Sequence, residues 1–299
     1  MDILILTDGS EGAQNSTRFA VNLFQFTEHK IKVVVFKTDE SKLPDEEENR
    51  VGADRALDII RSETDRIVAD NSNKLTDVEV LSDEGDLLEY INQVADEYNL
   101  VCLGTTGRGA FTENVLGKVP ADVIQYGSGN LLIHKGEPID CKRSILCAPL
   151  AAFTEELAEF ITTLFTDNPG LVVISPLLEN YPHRFEGYRD ASGKRKVEEL
   201  VKDGAIDHKH EQLNTFLDVL EEEGFSTELK PHEGINTANL IDSFSPRDYD
   251  MIILHAPGGE HEFLPDFEPG KQMLQLVRKS PTNTLILRDI PGVEGKKRN

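Results

Sequence analysis

Tryptophan is absent from the chain, and methionine and cysteine occur three times each. Cys102, Cys141 and Cys147 are too few for a disulfide framework, and two of them stand in or beside apolar runs that read as strands. Buried thiols in a reducing compartment are therefore expected. Long hydrophobic runs are also missing: none approaches the roughly 18 residues of a membrane-spanning helix. The opening Met1-Asp2-Ile3-Leu4 passes straight into an apolar run without a basic region, so the expectation is a cytoplasmic protein not exported by a signal peptide. Positive charge is scarce, with 31 Lys and Arg against 54 Asp and Glu and a net charge of −23. Such a surface repels nucleic-acid phosphates and anionic membranes, which excludes both as general partners. What remains is a hydrophobic fraction of 38% over 299 residues, enough for a lean core in one large domain or two ordinary ones.

The most informative stretch is residues 100–134. The apolar run Leu100-Val101-Cys102-Leu103 ends in Gly104, reading as a buried strand that stops at a turn. Gly107 follows after two residues and Gly117 after nine more. Ala121, Val123 and Ile124 then mark the core side of a helix, and Leu131–Ile133 is another buried strand. Glycines at the carboxyl end of a strand let a ligand approach the backbone, and the next helix amino terminus favours an anion. A tight turn without a ligand is the plainer reading of the same residues. A P-loop is excluded because Thr112 stands where its first glycine belongs and Val119 follows Gly117-Lys118. A dinucleotide fingerprint beginning at Gly107 and Gly109 fails at the same Thr112.

The remainder alternates strands and helices. Ile3–Thr7, Ile31–Phe36 and Val78–Leu81 read as strands, and helical stripes fall on Phe19–Phe24, on 51–71 and on Leu87–Ala95. Residues 39–48 form an acidic loop. After Gly136-Glu137-Pro138 the order begins again at Arg143–Cys147, with a period of about 145 residues. Leu171–Ile174, Thr227–Lys230, Met251–Leu254 and Thr284–Leu287 are its later strands, and residues 291–299 read as a disordered basic tail. Such alternation implies a parallel sheet covered on both faces, with a crevice at the strand carboxyl ends.

The spacing Gly104-x2-Gly107-x9-Gly117 resembles the nucleotide-binding signature of the universal stress protein family, and the first-strand segment ILILTDGSEGA resembles that family's first strand. The resemblance implies an α/β fold of two tandem Rossmann-like (adenine nucleotide α-hydrolase-like) domains, each a five-stranded parallel sheet of order 3-2-1-4-5 flanked by helices. Their expected limits are 1–138 and 139–290. It implies ATP or another adenine nucleotide, with Mg as companion, in the first domain. Asp8 would lie near adenine and ribose, and Lys37 near the adenine-side backbone contact. Gly104, Gly107, Arg108, Gly117, Lys118 and Val119 would hold ribose and phosphates, with Thr7, Gly9 and Gly109 beside them. Lys118 replaces the family's Ser or Thr, and Lys37 replaces an aliphatic residue. Arg108 and Lys118 are the strong cations of the loop, suited either to a solvated surface or to phosphate.

The second half departs from this pattern. Pro149 stands near the place of Asp8, His255-Ala256-Pro257-Gly258 replaces Gly104–Gly107, and eleven residues separate Gly258 from Gly270. Glu260, Glu262, Asp266 and Glu268 in that interval oppose a triphosphate. A degenerate partner domain completing an intramolecular pseudo-dimer is the expectation, with Leu131–Ile133 meeting Leu285–Leu287, and a further homodimer is compatible with it. The aromatic loop bearing Tyr181, Phe185 and Tyr188 leaves open a different ligand.

His208 and His210 offer metal-ligand types, but alternate residues on a helix face apart, so a solvated helix start is expected and no metal site. His232 and His255 read as structural or exposed histidines near strand ends. No general base, carboxylate pair or activated nucleophile surrounds the first glycine loop, so no enzymatic activity is expected. The function implied is a regulatory module of the stress response that binds nucleotide without substantial turnover and acts on an unknown protein partner. The alternatives are a dimerisation scaffold without nucleotide and an adenine-nucleotide hydrolase-type enzyme. The latter needs Ser-Gly-Gly-x-Asp-Ser where Asp8-Gly9-Ser10-Glu11-Gly12 stands.

Overall fold

Short apolar runs at even intervals become strands because both of their faces are buried. Ile3, Leu4 and Ile5 have no exposed surface, and neither do Val33, Val34 and Val35. The computed structural model describes residues 1–8, 11–24, 30–36, 58, 61–69, 76–81, 87–94, 97–105, 118–127, 129–135, 141–149, 152–165, 170–178, 208–230, 232–233, 248–255, 269–280, 282–288 and 290. The elements run β1 (Asp2–Thr7), α1 (Glu11–Leu23), β2 (Lys30–Phe36), β3 (Thr76–Leu81), α2 (Leu87–Val94), β4 (Leu100–Gly104), α3 (Lys118–Tyr126) and β5 (Leu131–His134). There follow β6 (Arg143–Pro149), α4 (Glu155–Leu164), β7 (Leu171–Leu178), α5 (His208–Glu222), β8 (Ser226–Leu229), β9 (His232–Glu233), β10 (Met251–His255), α6 (Pro269–Lys279) and β11 (Asn283–Leu287). Residues 61–69 are also helical, with Thr64, Ile67 and Val68 buried.

The fold is α/β, with a mixed and mostly parallel sheet. The chain divides into two units, one comprising Met1–Asp140 and Glu268–Ile286, the other Cys141–Phe267 and Leu287–Asn299. In the first unit the strand order is β3-β2-β1-β4-β5-β11. All pairs are parallel except the last: β11 runs antiparallel to β5 with Leu285 opposite Leu132. This pairing satisfies the backbone groups that β5 would otherwise present at an edge. Lys135 fastens the same segment. Its backbone N–H donates to Asn283 Oδ1 at 2.9 Å, and its ammonium caps the end of α6 by donating to the carbonyls of Val277 and Ser280. Burial lowers the Lys135 pKa to about 8.

In the second unit the order is β10-β6-β7-β8, with β9 also pairing β7. Thr154 caps α4, its hydroxyl accepting from the Leu157 N–H at 3.3 Å. Leu157, Phe160, Ile161 and Leu164 form the buried face of α4, and Phe153 meets Phe216 of α5 edge-on at 5.2 Å.

The two units repeat one backbone plan to the level of single hydrogen bonds. In the first, Asn99 N–H donates to the Asp2 carbonyl at 2.8 Å while Asn99 Oδ1 accepts from Asp2 N–H at 2.9 Å. In the second, Asp250 N–H donates to the Arg143 carbonyl at 2.8 Å while Asp250 Oδ2 accepts from Arg143 N–H at 3.0 Å. Lys30 N–H reaches the Met1 carbonyl, and Leu171 N–H reaches the Lys142 carbonyl, both at 2.9 Å. Ile3 pairs with Leu100, and Ser144 with Met251. These registers make β6, β7 and β10 the counterparts of β1, β2 and β4, and they put His255 in the place of Gly104.

Candidate functional site

In the first unit the direction of connection reverses between β1 and β4. β1 leads to β2 on one side, while β4 lies on the other and leads to β5. Crossovers departing to opposite sides leave a crevice beyond the carboxyl ends of these two strands. Thr7 and Gly104 are the terminal residues there. Thr7 is buried, and Asp8, one residue further, is half-buried.

Gly104 is where α1 meets the sheet. A Cβ on Gly104 would lie 3.2 Å from the Gly12 carbonyl oxygen and 3.4 Å from Ala13 Cα. Both neighbours are backbone in the first turn of α1, so the missing side chain lets that helix end settle on the strand end. The segment Asp8–Gly12 reads from sequence as a turn, but Gly12 already belongs to α1. A glycine in a helix is unfavourable by propensity, and here close approach to Gly104 outweighs that preference. The Thr17 hydroxyl donates to the Ala13 carbonyl at 2.9 Å. The buried His134 ring, at the end of β5, stacks on Phe19 of α1 with centroids 4.8 Å apart.

The second helix at this end is α3. It joins the parallel strands β4 and β5, so it runs back along the sheet and its amino end lies at the carboxyl end of β4. Its helical residues begin at Lys118, earlier than the apolar stripe starting at Ala121 suggests. Pro120 is tolerated because the first turn leaves its amide nitrogen without an intrahelical role. Two helix amino termini favour an anion, and a carboxylate at position 8 suits a hydroxyl or amine donor.

The site residues implied by the resemblance fall into two groups. Thr7, Asp8 and Gly104 gather at the β1–β4 crevice, and Lys118 and Val119 open α3. Gly9, Lys37, Gly107, Arg108, Gly109 and Gly117 lie outside the described residues. The sequence reasoning missed Gly12 and the Phe19–His134 stack. The available signal was Phe19 on the apolar stripe of α1, with His134 closing an apolar strand.

Reactive groups are subdued. Burial pushes the thiols of Cys102 and Cys147 far above their ordinary range, and burial followed by the Asp250 charge pushes Cys141 up to about 12. Such thiols do not form the nucleophilic thiolate at neutral pH. Among the described residues no three His, Cys, Asp or Glu side chains gather to hold a metal ion. Nor is any helix among them long and apolar enough to cross a membrane.

Residues 1–135 match the universal stress protein family. This stretch belongs to that family. The universal stress protein likeness extends further in fold. A universal stress protein from Archaeoglobus fulgidus DSM 4304 superimposes with a TM-score of 0.62 at 15% identity, over 96% of this chain and 98% of that one. A putative universal stress protein from Pseudomonas aeruginosa UCBPP-PA14 gives 0.55 at 14% identity, over 96% and 92%. No curated protein sequence matches the chain.

Proposed function

We propose that the universal stress protein domain is a nucleotide-responsive regulatory module of stress physiology, binding ATP or a related adenine nucleotide at the β1–β4 crevice without substantial turnover. The observation that carries this reading is Gly104 at the strand reversal, with the first turn of α1 seated 3.2 Å from where its Cβ would be. That contact holds a helix amino terminus at the crevice mouth, beside Asp8, and so supports a ligand with anionic and hydroxyl groups. The residues fit such a group. Asp8 would accept from ribose or adenine, with Thr7, Gly9 and Lys37 on the same side. The loop glycines 104, 107, 109 and 117 would let phosphates approach the backbone, with Arg108, Lys118 and Val119 around them. Mg would be held chiefly by the phosphates, since the described residues supply no three-ligand cluster.

We further propose that residues 139–290 are a second, diverged copy of the same domain. The paired hydrogen bonds of Asn99 with Asp2 and of Asp250 with Arg143 support a duplicated plan. The rival reading, a scaffold without nucleotide, is favoured by Lys118 in place of a hydroxyl residue.

Calorimetry on the full chain decides between them. The expected result is one ATP site per chain, lost when Gly107 and Gly117 are both replaced by bulky residues. Two equivalent sites would overturn the assignment to one domain, and no binding at millimolar ATP would favour the scaffold. A hydrolysis rate well above background that disappears in Asp8→Ala would refute the expectation of negligible turnover.

A further inference from the structure

Lys135 follows β5 directly and ties it to the end of α6. Its backbone N–H is fixed by Asn283 Oδ1 at 2.9 Å, and its Nζ donates to the Val277 carbonyl and, at 2.7 Å, to the Ser280 carbonyl. The acceptors are held in place: Val277 and Ser280 are buried, and the Ser280 hydroxyl donates to the Thr282 carbonyl at 2.9 Å. Two acceptors match a neutral amine, with two N–H donors and a lone pair, better than an ammonium with three donors and no lone pair. Among the described residues no third acceptor and no carboxylate reaches Nζ. Burial acts in the same direction. It lowers the pKa from 10.5 to about 8, so at neutral pH the neutral amine is roughly a hundredfold or more commoner than in an ordinary lysine.

With both N–H groups directed at the helix end, the lone pair of the neutral amine points away from it. Lys135 is half-buried, so part of its surface meets solvent. Arg278 and Lys279, both exposed, stand in the last turn of α6 between the two carbonyls. They draw an anion to this spot in a chain whose net charge is −23.

We propose that Lys135 is a modification site, acylated by a small anionic donor of the acyl phosphate class, and that the modification loosens α6 and β11 from β5. The amine nitrogen attacks the acyl carbonyl carbon. A C–N bond forms, the C–O bond to phosphate breaks, phosphate leaves with the electron pair, and the amine proton passes to solvent. The amide product keeps one N–H, so one of the two carbonyls loses its donor, and the acyl group needs room beside buried Val277. Because β11 covers the edge of β5, loosening it uncovers that edge.

The test reacts the full chain with acetyl phosphate at neutral pH and reads each lysine by peptide mass spectrometry. Lys135 is expected to be acetylated at least about tenfold faster than the exposed Lys30, Lys142, Lys230 and Lys279. Hydrogen exchange of the acetylated chain is expected to rise at least about tenfold in α6 and β11 and to stay unchanged in β1 and β2. Lys135→Arg keeps donors for both carbonyls and cannot be acetylated, so the same treatment should leave its α6 and β11 protected. Acetylation of Lys135 no faster than of the exposed lysines would overturn the proposal. So would unchanged protection of α6 and β11 after full acetylation, or an equal rise in treated Lys135→Arg. The rates measured on the unaltered chain decide even if the variant fails to fold.

Discussion

Replacing Gly104 separates two roles that a glycine at a strand end can have, seating a helix or admitting a ligand. In Gly104→Ala the new Cβ meets the Gly12 carbonyl oxygen at 3.2 Å and both Gly12 C and Ala13 Cα at 3.4 Å. The helix must yield by a few tenths of an ångström. Overpacking of that kind costs about 1 kcal/mol at the low end, and the stiffer unfolded chain returns about 0.4–1 kcal/mol. The net change expected for alanine is therefore within about 1 kcal/mol. Valine adds two methyl groups that cannot both avoid the same helix backbone, and the expected loss is about 2–3 kcal/mol. Urea unfolding followed by circular dichroism measures both variants, and calorimetry with ATP is run alongside. Helix seating predicts that ATP affinity falls with stability, little in the alanine variant and strongly in the valine variant. Normal stability of Gly104→Val, together with loss of ATP binding by a fully stable Gly104→Ala, would refute the helix-seating argument.

Gly127 closes α3, with its N–H donating to the Val123 carbonyl at 2.9 Å, and a Cβ there would stand 2.4 Å from that oxygen. Gly127→Ala should lose about 2–3 kcal/mol in the same unfolding assay, and a neutral result would mean that the helix end relaxes freely. Lys135→Met removes the cap on the Val277 and Ser280 carbonyls. It should cost about 1–3 kcal/mol and raise amide exchange in α6 before other elements; unchanged α6 protection would count against the cap. His255 supplies an acid-dependent test. Its folded-state pKa is depressed from 6.5 to about 4, so the unfolded chain binds the extra proton first. Its contribution is complete above the unfolded pKa and is lost as pH falls through that window, at about 1.4 kcal/mol per pH unit. The slope should flatten in His255→Leu. An identical acid limb in both proteins would refute the buried neutral imidazole.

The sequence by itself determines the alternation of strands and helices and the start of a second series near Arg143. These signals are local, because a strand buried on both faces must be apolar throughout, as Val33–Val35 and Leu100–Leu103 are. Gly104 is legible for a similar reason, since its close approach to the first turn of α1 leaves little room for a side chain at that position. What only the tertiary structure decides is which residues meet. The Asn99–Asp2 and Asp250–Arg143 pairs join residues 97 and 107 apart, and no local pattern marks them. Gly12 looks like turn chemistry until Gly104 is placed against it. The burial of His255 is equally invisible, because a histidine ending an apolar strand is free or enclosed according to what packs over it. Lys135 reads as one more surface cation, yet it caps a helix that begins 134 residues later, at Pro269. Burial and long-range hydrogen bonding depend on the assembled sheet, and the chain carries that information only once it is folded.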